Sequence, residues 1–313
     1  MTTHMNSENM MIPRSSPSPV RSLLVGGSLL LALAAPSLTQ AQTPLIQYNF
    51  NEGTGTSAAN TGSLAPVFPS TTSNLILDAT HSSWATAAST LSGTGSALII
   101  DGAGKNSTTS GYQQADGTGL NTNLSAFTIT LWVNLTTAGA SERLVTFADG
   151  SVPSHGFDFR LNTLTGEQAS LGLFVDGTTV TSTGGNIVDV VGQWTFVAVT
   201  YDGNATTNNV SFYYGGSSVS ATVLGSAVTA NKGAIDTVNN QTTALRVGSS
   251  GTTNVDRTPA GVFDDVRIYG SVLDASAIEA VRVSAIPEPA TTALLMAGAG
   301  LIGAVILRRR RRG

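Results

Sequence analysis

From residue 96 to residue 269 the apolar content of the chain is cut into short β-branched or aromatic runs, set apart by clusters of Gly, Asn, Asp, Ser and Thr. The runs occupy 96–100, 127–134, 143–147, 157–161, 170–175, 194–201, 209–214, 244–247 and 262–269. Segments this short between turn-forming residues suit strands, and no strand-then-helix alternation recurs that would build a parallel sheet. The pattern predicts an all-β domain, a sandwich or jelly roll. In 127–134, Phe127, Ile129, Leu131 and Val133 alternate with Thr128, Thr130, Trp132 and Asn134. Period two sends the first set inward and leaves the second on a mixed face.

One helical signal follows the last run. Asp274 precedes 275–281 and can cap the free amides of a first turn. Ser276 with Glu279 offers an alternative capping-box start. Either places a short helix at the end of the domain.

The two ends lie outside this fold. Arg14 and Arg21 precede an apolar run at 23–35, and Thr39-Gln40-Ala41 supplies small residues for cleavage. Residues 1–41 therefore read as a signal peptide with a signal helix, and Met10 or Met11 offers an alternative start. At the other end, 290–307 carries no charge. A helix of that length covers roughly 27 Å, close to the ~30 Å hydrocarbon core of a bilayer. Arg308, Arg309, Arg310, Arg311 and Arg312 follow it and hold that end in the cytoplasm, because positive charge beside a span sets its orientation. The body of the chain is then outside. Ahead of the span stands Ile286-Pro287-Glu288-Pro289, where two prolines deny the backbone a regular ladder and keep it extended. The order of motif, span and arginine cluster over 286–313 resembles the PEP-CTERM sorting signal of Gram-negative bacteria. That resemblance implies an exosortase that cuts near the motif, making the transmembrane helix a transient anchor before the body reaches the cell envelope or extracellular matrix.

Between residues 42 and 286, seventeen Asp and Glu stand against eight Lys and Arg, a net charge of −9. An acidic body argues against nucleic acid or an anionic bilayer surface as partner, since both demand a positive footprint. Calcium and neutral glycans are compatible with it. The chain has no cysteine, so an exported body makes no use of disulfides and must be held by core packing.

Four blocks in order resemble laminin G-like domains of the concanavalin A-like lectin/glucanase superfamily. They are Tyr48-Asn49-Phe50-Asn51-Glu52-Gly53-Thr54-Gly55, the strand 127–133, the segment Gly192-Gln193-Trp194 with its strand to Gly203, and 261–269 with Leu273. The resemblance covers 46–283 and implies a jelly-roll sandwich of two antiparallel sheets, in which Trp194 is a packing residue. It also implies one structural calcium ion between the opening and closing strands, with Asn51, Glu52 and Asp264 as the matching candidates. Asn51 stands where the family commonly has aspartate, and Ala277 where it commonly has glutamate. Strict alternation in 262–269 puts Asp264 on a face with Val262, Val266 and Ile268, and Asp265 on a face with Phe263, Arg267 and Tyr269.

A glycan would stack its C–H face on an aromatic ring, which makes Trp132 and Trp84 the candidate platforms. Hydrolytic chemistry finds little support. Retaining glycosidases on this fold place a Glu-x-Asp-x-x-Glu type array on one strand, and none occurs here. With only His81 and His155 in the body and no cysteine, zinc lacks ligands, and no Gly-x-Ser-x-Gly elbow frames a nucleophile. The expectation is an exported, non-enzymatic surface or matrix module that binds exopolysaccharide or another envelope glycan. The alternative is a divergent carbohydrate-active enzyme whose acids converge only in space.

Overall fold

A computed structural model describes residues 42–286 except 65–72, 88–89, 92, 94, 103–113, 116–119, 121–123, 149–154, 167, 184–187, 236–243 and 250–256. The signal peptide expected at 1–41, the Pro287-Glu288-Pro289 motif, the transmembrane helix expected at 290–307 and the arginine cluster thus lie outside the described residues. Among those that are described, no helix is long and apolar enough to cross a membrane.

The chain order is β1 (Ile46–Tyr48), β2 (Ser57–Ala58), β3 (Leu75–Ile76), β4 (Ser82–Trp84), β5 (Leu98–Asp101), β6 (Gln114–Ala115), β7 (Ala126–Thr137), β8 (Arg143–Ala148) and β9 (Gly156–Thr165). Then come β10 (Gln168–Val175), β11 (Thr178–Thr181), β12 (Val188–Asp189), β13 (Thr195–Asp202), β14 (Val210–Gly216), β15 (Thr222–Val223), β16 (Leu245–Val247), β17 (Ala260–Tyr269) and α1 (Ala275–Ser284). Each run expected to be a strand overlaps one. An eight-stranded sheet runs β15-β14-β13-β7-β17-β5-β4, with β1 also on β17. A nine-stranded sheet runs β11-β10-β9-β8-β16-β6-β3-β2, with β12 also on β10. The strand pairs are antiparallel, which confirms the expected two-sheet, jelly-roll-like all-β class.

Alternation along each long strand supplies the core between the sheets. Phe127, Ile129, Leu131, Val133 and Leu135 of β7 and Val197, Val199 and Tyr201 of β13 are fully buried in it. Phe157, Phe159, Leu161, Leu171 and Leu173 come from β9 and β10 of the other sheet. Phe127 stacks on Phe157 at 5.1 Å between ring centroids and meets Tyr201 at 5.3 Å. Full burial of such side chains contributes about 1.5–3 kcal/mol each, enough for packing alone to sustain a domain without disulfides.

The outer side of the eight-stranded sheet is not a mixed, wet face. A second cluster there joins Trp132, Phe196, Ala198, Tyr269 and Leu273 to Ile278 and Val281 of α1. The helix starts at Asp274, whose carboxylate accepts from the Ala277 amide at 2.8 Å and from the Ser276 hydroxyl at 2.7 Å. Glu279 is not part of a capping box, because its carboxylate instead accepts from the Ala221 amide at 2.7 Å and takes Arg282 at 2.7 Å on each oxygen. Arg282 also donates to the Gly216 carbonyl at 2.6 Å, tying the helix to the β14–β15 hairpin.

Strict period two fails in β17. Asp264 pairs with Trp132 and Arg267 with Thr130, so three steps on β17 face two on β7, a β-bulge. Asp265 takes up the extra residue at φ 48°, a left-handed conformation that Asp tolerates better than most residues. The bulge lets Phe263, Val266 and Ile268 all reach the inter-sheet core. The sequence-based placement of Asp264 beside Val266 and Ile268 is therefore corrected, because Asp264 and Arg267 both turn away from that core into a polar cleft.

Candidate functional site

That cleft, about 450 Å³, is lined by Gln47, Asn49, Asn51, Asp264, Asp265 and Arg267, with Ser284 to Ile286 beside them. Arg267 grips Asp265 through Nε to Oδ1 and Nη2 to Oδ2, both at 2.8 Å, and its Nη2 also donates to Ser284 at 2.9 Å. Asp264 keeps one oxygen on the Asp265 amide at 2.8 Å. Burial, then the neighbouring Asp265 charge, push the Asp264 carboxyl up to about 7. Asn51 also faces this space, its Oδ1 so near Gly95 (φ 76°) that a Cβ there would sit 2.7 Å away.

The cleft brings two of the three calcium candidates together. Glu52 is the exception, because it lies outside the lining and accepts from the Ala59 amide at 2.8 Å. Calcium takes six to eight oxygens. Here Asp265 is committed to Arg267, whose guanidinium lines the same space. No group of three or more His, Cys, Asp or Glu gathers anywhere among the described residues. The three-residue set expected from the sequence is not assembled.

The two tryptophan platforms also separate. Trp132 is corrected: it is 0% exposed, meets Phe196 edge-on at 5.4 Å and lies in the cluster covered by α1, so no ring face is open to a sugar. Trp84, on β4 at the end of its sheet, is half-buried against the main core and donates Nε1 to the Gly55 carbonyl at 2.8 Å. Trp194 packs against the second cluster, in the structural role expected of it.

Sequence reasoning missed the polar side of the nine-stranded sheet. On β8 and β9 the residues alternating with Val145, Phe147, Phe157, Phe159 and Leu161 are Thr146, Asp158, Arg160 and Asn162, with Arg143 at the strand entry. Register pairs Arg143 with Arg160 and Thr146 with Asp158. Arg143 Nε is 2.7 Å from Asp158 Oδ2, and Arg160 Nη1 is 3.9 Å from the same oxygen. Arg160 donates to Thr179 at 2.6 Å and Asn162 to Thr181 at 2.9 Å, extending the polar surface to β11. Arg143, Asp158 and Arg160 are 2%, 1% and 8% exposed, while Thr179 is exposed. Burial pushes the Asp158 carboxyl up against the opposing pull of Arg143, Arg160 and Arg257, and burial lowers the Arg143 guanidinium to about 10. The available signal was two charges, Asp158 and Arg160, set at alternate positions between large apolar residues in a body with few basic groups. Their neighbour Arg143 is far enough away in sequence that only strand pairing reveals it.

Residues 106–279, more than half of the chain, match the family described as the concanavalin A-like lectin/glucanases superfamily. Residues 285–312 match the PEP-CTERM protein-sorting motif. No curated protein matches the sequence. Among solved structures, domain 4 of an extracellular arabinanase from Geobacillus stearothermophilus, in complex with arabinotriose, aligns with TM-score 0.47 and 15% identity over 77% of this chain and 99% of that one. A heptameric pentraxin from Limulus polyphemus aligns with TM-score 0.36 and 13% identity over 50% of this chain and 70% of that one.

Proposed function

The chain belongs to the concanavalin A-like lectin/glucanases superfamily, and we propose that it is an exported, non-enzymatic surface or extracellular-matrix module that binds exopolysaccharide or another glycan and is sorted by an exosortase. In this reading residues 1–41 direct export, 46–283 form the binding sandwich, and 286–313 engage the exosortase and anchor the chain before processing. The sorting motif at 285–312 supports the last part.

The observation that carries the binding role is the unlike treatment of the two outer sheet faces. Helix α1 seals one with apolar residues. The other presents Asn162, Thr179 and Thr181 beside the buried Thr146, Asp158 and Arg160, groups suited to sugar hydroxyls. Glycoside hydrolysis uses two carboxyl groups flanking the bond. Asp158 is instead held against guanidinium groups, which supports binding without hydrolysis. The same proposal confines any structural calcium to Asn51 and Asp264, the candidates that share the cleft.

The test is a glycan array probed with the full-length chain, followed by incubation with each glycan retained. Saturable binding without release of reducing ends is expected. Absence of binding by folded protein overturns the binding role, and reducing-end release overturns the non-enzymatic one. For calcium, the expected result is a melting temperature that rises with the ion and stops rising in Asp264→Asn; no rise in the unaltered chain sinks the metal.

A further inference from the structure

Five side-chain atoms on adjacent strands β8 and β9 are buried without an aligned hydrogen-bond partner: Arg143 Nε and Nη1, Arg160 Nε, Thr146 Oγ1 and Asp158 Oδ1. A buried polar atom left unpaired costs on the order of 1–3 kcal/mol, more when charged, so five together are costly to a fold that gains nothing from them. They are also neighbours, since Thr146 stands opposite Asp158 and Arg143 opposite Arg160.

The ion pair on α1 does not show this pattern. Elsewhere in the chain Arg282 spreads its fork over both Glu279 oxygens, at 2.7 Å each. Here both guanidinium groups approach one oxygen, Asp158 Oδ2, at 2.7 and 3.9 Å, while Oδ1 has no aligned hydrogen bond and only the Thr146 hydroxyl opposite to draw on. Even the shorter approach, from Arg143 Nε, is not aligned as a hydrogen bond. Among the described residues, two arginines against one carboxylate leave an excess of positive charge, to which Arg257 adds from the segment whose carbonyl accepts the Arg143 amide at 2.9 Å.

We propose that this face holds a subsite for a uronic acid unit of a polysaccharide, with the sugar carboxylate received by Arg143 and Arg160 and its hydroxyls donating to Asp158 Oδ1 and Thr146 Oγ1. The groups left without an aligned partner are two guanidinium donors and two acceptor oxygens, and a uronic acid carries both complements on one ring. Guanidinium groups are suited to a planar carboxylate, and an acceptor-only carboxylate such as Asp158 to a hydroxyl. Thr179 and Thr181, which hold Arg160 and Asn162, mark the more exposed side from which the chain of sugars would continue. The net charge of −9 over residues 42–286 makes a local cationic site the means of taking an acidic polymer despite overall repulsion.

This inference rests on the glycan-binding reading, and one titration series separates their failures. Full-length chain is titrated calorimetrically with galacturonate and mannuronate oligomers, with the methyl ester of each, and with the neutral glycans of the array. At least one free acid is expected to bind roughly 10-fold or more tightly than its ester, weakening as salt rises. Arg143→Gln should abolish that preference. Because it also strands Asp158, the double variant Arg143→Met with Asp158→Leu, which removes both charges, is measured beside it with melting curves. Equal affinity for acid and ester, or an undiminished preference in the folded double variant, overturns the uronate subsite and leaves neutral-glycan binding standing. Failure of every acid and every neutral glycan overturns both.

Discussion

Trp132 shows how far a single residue can be read from sequence. Its outward direction was legible from the alternation with Leu131 and Val133, but whether outward meant solvent depended on a helix that begins at Ala275. Covered by α1, it is a packing residue, and Trp132→Ala should lower stability by about 3–5 kcal/mol in chemical denaturation. Trp132→Phe should cost less, because it removes a buried Nε1 that has no partner. Asp264 makes a pH prediction. Its carboxyl titrates at about 7 in the fold, against ~4 in an unfolded chain. The folded state thus keeps a proton that the unfolded chain releases, so this contribution is complete below about pH 4 and lost as pH rises through about 7. Because the group is partly exposed, the loss should amount to about 1–2 kcal/mol after solvent screening. Asp264→Asn should flatten the dependence of the urea midpoint on pH over that interval; an unchanged slope would show that Asp264 does not titrate there.

At the scale of elements, the long strands were legible because each presents several alternating apolar residues. Among the strands of two to four residues, β5 and β16 fell in expected runs, but β2, β3, β4, β6, β11, β12 and β15 did not. So short a segment carries no measurable period, and its pairing partner defines it. The β17 bulge escaped for a related reason, since one added residue reverses the faces of everything beyond it. Replacing Asp265 with Val, which resists positive φ, should destabilise the fold by about 1–3 kcal/mol and more than Asp265→Asn does; equal midpoints for the two variants would contradict a strained bulge. The capped start of α1 was readable from Asp274, whereas its latch was not, because Arg282 and Glu279 reach Gly216 and Ala221 on a distant hairpin. Arg282→Ala should cost about 1–3 kcal/mol by leaving Glu279 without its counter-charge. Hydrogen exchange should rise first in α1, before the β7–β13 amides.

For the whole molecule, deletion of residues 286–289 should leave the chain unprocessed in the membrane, with intact mass retaining the C-terminal arginines. A mature mass matching that of the processed parent, apart from the deleted residues, would refute dependence on the motif. Composition, alternation and the two ends by themselves determined the all-β class, the sorting motif and a core without disulfides. Those properties are local or additive, so a linear string records them. Tertiary structure alone decided that one sheet face is sealed by α1 and the other is polar, that Glu52 misses the Asn51–Asp264 cleft, and that Arg143, Asp158 and Arg160 meet. Each of these depends on strand register and on what packs over a face, and both are set by residues distant in sequence.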